Sequence, residues 1–120
     1  MSILAVEDNQ DLRNLLEEYL RTQDHEYVRT AASGKEALEV IHSAPVIFDC
    51  LLLDIQMPEM SGVELIPHIR QIDGYEFVPI IMLTGVKNSE SIAKSFVAGA
   101  WDYIIKPFEF FDLEARIHGA

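Results

Sequence analysis

Short, continuous runs of apolar residues alternate along this chain with longer segments in which apolar residues recur every three or four positions. The short runs have few polar residues inside them, which is typical of strands that are buried on both faces. The longer segments have the spacing of helices that bury one face. The predicted strands, of which the second is the weakest, are Ile3–Val6, Tyr27–Ala31, Cys50–Asp54, Val78–Leu83 and Asp102–Ile105.

Five helices are predicted between and after these strands. The first runs from about Asn9 to Thr22, and the next two begin at capping-box patterns, Ser33 with Glu36 and Ser61 with Glu64. The last two are marked by apolar residues at helical spacing, namely Ile92, Ala93, Phe96, Val97 and Ala100, followed by Phe110, Leu113 and Ile117.

Strands and helices alternate five times in this pattern, which predicts an α/β protein. Continuous rather than alternating apolar strands favour a parallel sheet with helices covering both faces. Ligands of such sheets bind at the carboxyl ends of the strands, near the point where the strand order reverses. Candidate functional residues are therefore expected directly after the strands.

Three carboxylates, a hydroxyl and an ammonium group are found at these strand ends, namely Glu7, Asp8, Asp54, Thr84 and Lys106. Three carboxylates that lie close together repel one another, and a hard divalent cation relieves that repulsion. Mg²⁺ prefers oxygen ligands, accepts few carboxylates and keeps several waters. Singly, each residue has an ordinary explanation, since Asp8 can cap a helix and Lys106 can be a surface lysine. Together they predict a Mg²⁺ site at one edge of the sheet.

Asp54 follows the apolar run Leu51–Leu53, so it is expected to meet solvent at the end of a rigid central strand. Its simplest explanation is a polar residue that closes the strand. With a metal ion neutralising the cluster, however, the Asp54 carboxylate can attack phosphorus and form an aspartyl phosphate. Thr84 and Lys106 can then bind the phosphoryl oxygens, which carry most of the transition-state charge.

Composition narrows the choice of partners and compartment. The 120 residues carry a net charge of −11, which argues against direct binding of nucleic acid or anionic lipid. No apolar run approaches the roughly 20 residues that span a bilayer, and no signal peptide is visible. The single cysteine, Cys50, fits a reducing cytosol. The histidines lack metal-ligand spacing and are expected at the surface or its boundary: His25, His42, His68 and His118.

Several motifs carry a specific resemblance over essentially the whole chain. They are Val6-Glu7-Asp8, Leu53-Asp54-Ile55-Gln56-Met57-Pro58, Gly62, Leu83-Thr84-Gly85 and Asp102-Tyr103-Ile104-Ile105-Lys106-Pro107-Phe108. With these motifs the chain resembles a response-regulator receiver domain of two-component signalling. The resemblance implies a flavodoxin-like receiver fold, with a five-stranded parallel sheet in the order 2-1-3-4-5 and helices on both faces. Chemotaxis receivers are a known example of that strand order.

The resemblance also implies roles for individual residues. Asp54 would be the phospho-acceptor, with Mg²⁺ held by Asp8, Asp54 and the backbone carbonyl of Gln56, and with Glu7 acting through water. Lys106 and Thr84 would assist the chemistry. Thr84 and Tyr103 would form the conformational switch. The Lys106–Pro107 peptide bond would be cis.

The implied partner is a sensor histidine kinase or a phosphotransfer domain. The fourth helix, fifth strand and fifth helix would form the output face, with Lys87, Lys94, Asp102, Glu109, Glu114 and Arg116 as its charges. Asp102 and Arg116 stand where transcription-factor receivers place a salt bridge across a symmetric dimer, so phosphorylation-promoted self-association is expected. No output domain follows Ile117, so residues 1–120 are predicted to be one receiver domain, either free-standing or part of a longer chain.

Three other functions remain open on the sequence. A flavodoxin-like cofactor carrier would share the fold but would need a loop of small residues after the first strand, where Glu7 and Asp8 stand. A metal-dependent phosphatase would need a second aspartate close after Asp54, but position 56 is Gln. A degenerate receiver would only bind partners. One local feature is unusual for the family, since Pro67 inside the third helix is expected to bend or distort it.

Overall fold

A computed structural model describes residues 1–85 and 89–120 as strands that alternate with helices along the chain. The strands are β1 (Ser2–Val6), β2 (Tyr27–Ala31), β3 (Cys50–Asp54), β4 (Ile80–Thr84) and β5 (Asp102–Ile105). The helices are α1 (Gln10–Thr22), α2 (Gly34–Ser43), α3 (Gly62–Arg70), α4 (Ser89–Ala98) and α5 (Phe110–Gly119). The predicted α/β class is therefore confirmed.

All strand pairs in the sheet are parallel, and the strand order is β2-β1-β3-β4-β5. The order reverses at β1, because β2 lies on one side of it and β3 on the other. The register pairs Val6 with Leu53, so the next residues of both strands emerge side by side. This is the crevice at which parallel α/β sheets bind ligands.

Helices cover both faces of the sheet and bury two separate apolar layers. Alternate residues of β1 point to opposite faces: Ile3 and Ala5 pack with α1 and α5, whereas Leu4 and Val6 pack with α2 and α3. Burial on both sides explains why the strands are apolar without alternation. The helices cover the faces of the sheet, so the polar residues of the predicted site lie at its carboxyl edge.

The starts of α1, α2 and α3 are set by local side-chain caps. Asn9 caps α1, because its side-chain oxygen accepts a hydrogen bond of 2.9 Å from the backbone N–H of Leu12. Ser61 and Glu64 form the complete predicted capping box at the start of α3. The box predicted at Ser33 is only half formed, since the Glu36 carboxylate accepts from the N–H of Ala32 instead. The predicted helix starts are nevertheless correct.

Strand β4 and helix α4 differ in detail from the sequence prediction. Strand β4 begins at Ile80 rather than Val78 and includes Thr84. In α4 the buried residue is Ser95, whose hydroxyl donates to the carbonyl of Ser91 at 2.8 Å, whereas Val97 is 91% exposed. The burial of Ser95 is possible because its hydroxyl is hydrogen-bonded inside its own helix.

Helix α3 continues through Pro67, and its bending there stays a prediction. Proline has no N–H to donate to the carbonyl of Val63, one turn earlier. Within the described ranges, no helix combines the length and apolar character needed to cross a bilayer.

Candidate functional site

The carboxyl edge of the sheet brings together the acidic residues predicted from the sequence. Glu7 and Asp8 directly follow β1, and Asp54 is the last residue of the adjacent β3. One carboxylate oxygen from each of the three residues lies within 4.8 Å of the others. Because adjacent parallel strands end at the same edge, residues far apart in sequence form one cluster.

The three carboxylates differ in their exposure to solvent. Glu7 is 0% exposed and Asp54 is 3% exposed, whereas Asp8 is an exposed residue. The expectation that Asp54 meets solvent is therefore wrong. Its Oδ1 lies 3.2 Å from Lys106 Nζ and accepts a hydrogen bond of 3.3 Å from the Gln56 N–H. Asp54 is thus held within a polar cluster that the linear pattern does not reveal.

Lys106, which follows β5, supplies a positive charge to this cluster. Its Nζ lies 2.7 Å from Glu7 Oε1 as well as 3.2 Å from Asp54 Oδ1. Burial lowers the pKa of Lys106, but its contact with Glu7 and the negative charges of Asp54 and Glu7 outweigh this, so the net pKa is raised. Lys106 is therefore a firmly charged cation. The Lys106–Pro107 peptide bond is cis.

The cluster has more negative charge than Lys106 alone can balance. Burial, a hydrogen bond with Asp8 and the charge of Glu7 raise the pKa of Asp54 to about 7, although Lys106 acts in the opposite direction. Glu7 Oε1 is buried and, apart from its ion pair with Lys106, has no hydrogen-bond partner among the described residues. A cluster of carboxylate oxygens whose negative charge exceeds that of one lysine fits a hard cation such as Mg²⁺.

Thr84 lies on β4, the neighbour of β3, and Tyr103 lies on β5, the edge strand that pairs with β4. Thr84 ends β4 and is buried, and its carbonyl accepts a hydrogen bond of 2.7 Å from the N–H of Lys106. Tyr103 on β5 is half-buried, and its ring meets that of Phe96 edge to face, with centroids 6.1 Å apart. The backbone therefore connects Thr84 directly to the lysine of the cluster.

Two further residues shape the site, and only one of them is evident from the sequence. A Cβ added to Gly62 would lie 2.2 Å from the backbone oxygen of Asp54, so the first residue of α3 must be glycine. Arg13 was not identified from the sequence. Its Nη1 donates to the backbone carbonyls of Glu7 and Asp8. The sequence did contain one signal for Arg13, namely its position one turn into the helix that follows Glu7 and Asp8.

A histidine and glutamate group lies in a separate part of the molecule. Nε2 of His25 is 3.1 Å from the Glu114 carboxylate, and Nε2 of His118 is 2.8 Å from it. His118 is exposed, as expected, but the side chain of His25 is only 1% exposed although the residue as a whole lies at the boundary. This group joins the loop before β2 to α5.

Comparison with known proteins agrees with this site. A sequence model of the response regulator receiver domain matches residues 3–118. The uncharacterized transcriptional regulatory protein YrkP of Bacillus subtilis is 39% identical over 96% of the chain and 47% of its own length. The sensor histidine kinase TmoS of Ectopseudomonas mendocina is 36% identical over 96% of the chain and 11% of its own. The chain thus spans less than half the length of these curated relatives.

The fold has an equally good match among solved structures. The chemotaxis protein CheY4 of Vibrio cholerae superposes with a TM-score of 0.91 at 32% identity, covering 98% of this chain and 96% of that one. A CheY-like receiver domain protein from Methanospirillum hungatei superposes with a TM-score of 0.88 at 30% identity, covering 98% and 90%. Both matches extend over nearly the whole chain, so they include the sheet that carries the acidic cluster.

These findings narrow the functions that the sequence leaves open to those of a receiver domain. Receiver domains are signalling domains rather than enzymes in the ordinary sense, and they partner with sensor histidine kinases. Phosphorylation and Mg²⁺ binding in an acidic pocket are general features of the family. A cofactor carrier or a turnover phosphatase is therefore not supported. The chain belongs to the response regulator receiver domain family.

Proposed function

We propose that Asp54 of this receiver accepts a phosphoryl group from the phosphohistidine of a sensor kinase or phosphotransfer domain. The observation that carries the proposal is the position of Asp54 at the end of the central strand β3. There its carboxylate shares a cluster within 4.8 Å with Glu7 and Asp8, and lies 3.2 Å from Lys106 Nζ. A carboxylate on a rigid strand, next to a cation, is a suitable nucleophile.

The transfer requires the ionised form of Asp54. One Asp54 oxygen attacks phosphorus and forms an O–P bond, while the P–N bond to the donor imidazole breaks and the histidine keeps that electron pair and takes up a proton. Because the pKa of Asp54 is raised to about 7, a nearby positive charge is needed to keep the carboxylate ionised at neutral pH. Lys106 already acts in this direction, so the further charge would come from Mg²⁺, and Lys106 and Thr84 then contact the phosphoryl oxygens.

Mg²⁺ is proposed as the cofactor of this site. Asp8, Asp54 and the backbone carbonyl of Gln56 would hold the ion, with Glu7 acting through water. When bound, the ion supplies positive charge that offsets the carboxylates and the incoming phosphoryl group. The same residues would support self-catalysed phosphorylation from small donors, and hydrolysis of the aspartyl phosphate by water.

We further propose that Thr84 and Tyr103 convert phosphorylation into a change of surface. A phosphoryl group adds about −2 charges and strong acceptor oxygens, towards which the Thr84 hydroxyl moves. The Tyr103 ring then turns inward, away from its present contact with Phe96. The altered surface consists of α4, β5 and α5.

Phosphorylation would promote self-association through this output face. In the monomer Arg116 already binds Asp102, with Nη1 at 3.0 and 3.1 Å from the two carboxylate oxygens. In a dimer this ion pair would form between chains instead of within one chain, so no ion pair would be added. Exposed apolar groups must therefore supply the favourable free energy of association. Val97 is 91% exposed and Trp101 is 55% exposed on or beside this face. Lys87, predicted as one of its charges, lies outside the described residues.

We also propose that residues 1–120 form one receiver domain and that it works in the cytoplasm. A cytoplasmic location is supported by Cys50, which is a free and buried thiol. Burial raises the pKa of Cys50 to about 12, so it is expected to be an inert core residue.

Incubation with acetyl phosphate is expected to add one phosphoryl group to the wild-type protein only when Mg²⁺ is present. Asp54→Asn should remain unmodified, whereas Asp24→Asn, at an exposed position, should behave as wild type. Lys106→Ala should still bind Mg²⁺ but lose the conformational response. Intact mass and Trp101 fluorescence measure the two effects. Phosphorylation of Asp54→Asn at the wild-type rate would disprove the assignment.

Beryllium trifluoride, a stable phosphoryl mimic, is expected to change Trp101 fluorescence and to shift the protein from monomer to dimer. Val97→Lys should change fluorescence normally but stay monomeric, because it places a charge on the output face. Leu15→Lys, which alters a half-exposed leucine on α1, serves as the matched control and should dimerise. Sedimentation of all three proteins decides the outcome. A mimic-loaded wild type that remains monomeric at high concentration contradicts self-association.

A further inference from the structure

We infer that Arg13 is a positioning residue for the metal site, because it holds the backbone from which Glu7 and Asp8 present their carboxylates. The inference deepens the proposed function and rests on it, since it takes Mg²⁺ as the ligand of that site. Arg13 lies on α1 and would contact neither the ion nor the phosphoryl group. Arg13 would affect Mg²⁺ binding only by fixing the positions of Glu7 and Asp8.

The contacts of Arg13 reach back across the start of α1. Its Nη1 lies 2.9 Å from the backbone oxygen of Glu7 and 3.3 Å from that of Asp8. Its own N–H donates to the carbonyl of Asn9 at 2.9 Å, which is the first turn of the helix. One side chain therefore connects the helix to both acidic residues, and a charged donor makes these bonds stronger than neutral ones.

The segment that Arg13 holds is the connection between β1 and α1. The N–H of Glu7 is bonded to the carbonyl of Ala31, and the N–H of Asn9 donates to Glu7 Oε2 at 3.1 Å. The N–H groups of Glu7 and Asn9 are thus bonded to other groups, and Arg13 binds the carbonyls of Glu7 and Asp8. With these groups held, the peptide planes have a single orientation, and so do the Cα–Cβ bonds of the two carboxylates. Fixing ligands before binding reduces the entropy lost when an ion is bound.

A purely electrostatic role for Arg13 makes the opposite prediction. Its guanidinium is a positive charge beside the acidic cluster, so it would repel Mg²⁺, and its removal would tighten binding. A purely structural role predicts a third result, in which α1 loses stability but the affinity for Mg²⁺ is unchanged. Positioning alone predicts weaker binding after loss of a positive charge. The sign of the change therefore separates the three roles.

Arg21 provides a matched control on the same helix. It also donates from its guanidinium to a backbone carbonyl, that of Val28 at 3.0 Å, and pairs with Glu17. It lies in the last turn of α1, away from the acidic pair. Arg21→Met therefore removes a similar charge and a similar bond without loosening the turn after β1.

Mg²⁺ dissociation constants measured by calorimetry, together with unfolding in the absence of Mg²⁺, test the inference. Arg13→Met is expected to bind Mg²⁺ about tenfold more weakly than wild type, Arg13→Lys to lie between them, and Arg21→Met to match wild type. The loss should persist at high salt, which screens charge but not position. Equal or tighter binding by both Arg13 variants overturns the inference, even if they are less stable. A wild type that binds no Mg²⁺ rejects the proposed function instead.

Discussion

Gly62→Ala is expected to lower the free energy of unfolding by about 2–4 kcal/mol, since it combines overpacking with a strained hydrogen bond. The added Cβ would lie 2.2 Å from the backbone oxygen of Asp54 and 3.0 Å from the Met82 methyl group. The N–H of Gly62 also donates to the carbonyl of Ile55 at 2.9 Å. The closest of these contacts is with backbone, so no flexible side chain can move aside to relieve it.

The same substitution should impair the site as well as the fold. The carbonyl that must move belongs to Asp54, so displacement of α3 changes the position of the proposed nucleophile relative to Glu7 and Lys106. Weaker Mg²⁺ binding and slower phosphorylation are expected in whatever fraction folds. Gly119→Ala is the control, because a Cβ there meets nothing within 4 Å. Denaturant unfolding of both variants measures the effect, and equal stability of Gly62→Ala and wild type would contradict it.

Asp54→Asn is expected to stabilise the Mg²⁺-free protein by about 2–4 kcal/mol at pH 8. The upper value is the free energy that corresponds to a shift of roughly three pKa units. Burial and the neighbouring Asp8 and Glu7 raise the pKa of Asp54 from 3.8 to about 7. Asparagine has a similar shape but no charge to bury. The substitution therefore removes the proposed phospho-acceptor while relieving repulsion within the cluster.

The gain from Asp54→Asn should depend on pH in a defined direction. A carboxyl whose pKa is raised by folding binds its proton more tightly in the native state, so the contribution of Asp54 to wild-type stability falls as pH rises from about 4 to 7. The difference between the two proteins should be small near pH 4, grow through that window and level off above it. Mg²⁺ should reduce the difference, because it stabilises the ionised Asp54. Thermal or denaturant unfolding at several pH values measures this.

Asp24→Asn serves as the control, since Asp24 is exposed and lies outside the cluster. Its stability should follow that of the wild type at every pH. If Asp54→Asn were as unstable as wild type at pH 8 without Mg²⁺, the cluster would not be the source of electrostatic strain. Such a result would leave the proposed role of Asp54 as phospho-acceptor unaffected, because phosphorylation is measured separately.

Much of the fold and the site follows from local sequence. The run Leu51–Leu53 specifies a strand that is buried on both faces, and Asp54 marks its carboxyl end. Ser61 and Glu64 place the start of α3 through a cap that involves neighbouring residues only. Because strand ends converge in any parallel sheet, the meeting of Glu7, Asp8 and Asp54 was predictable from the order of elements.

Tertiary packing decided what periodicity does not encode. Asp54 is buried, and its carboxylate lies 3.2 Å from Lys106, which follows a strand two positions away in the sheet. Val97 is exposed because α4 packs through another face, which includes Ser95. Arg13 donates to the backbone carbonyls of Glu7 and Asp8, and the helical pattern of the sequence does not predict this contact. Strand and helix formation depend on residues a few positions apart, whereas side-chain direction, burial and charge balance depend on contacts between residues distant in the chain.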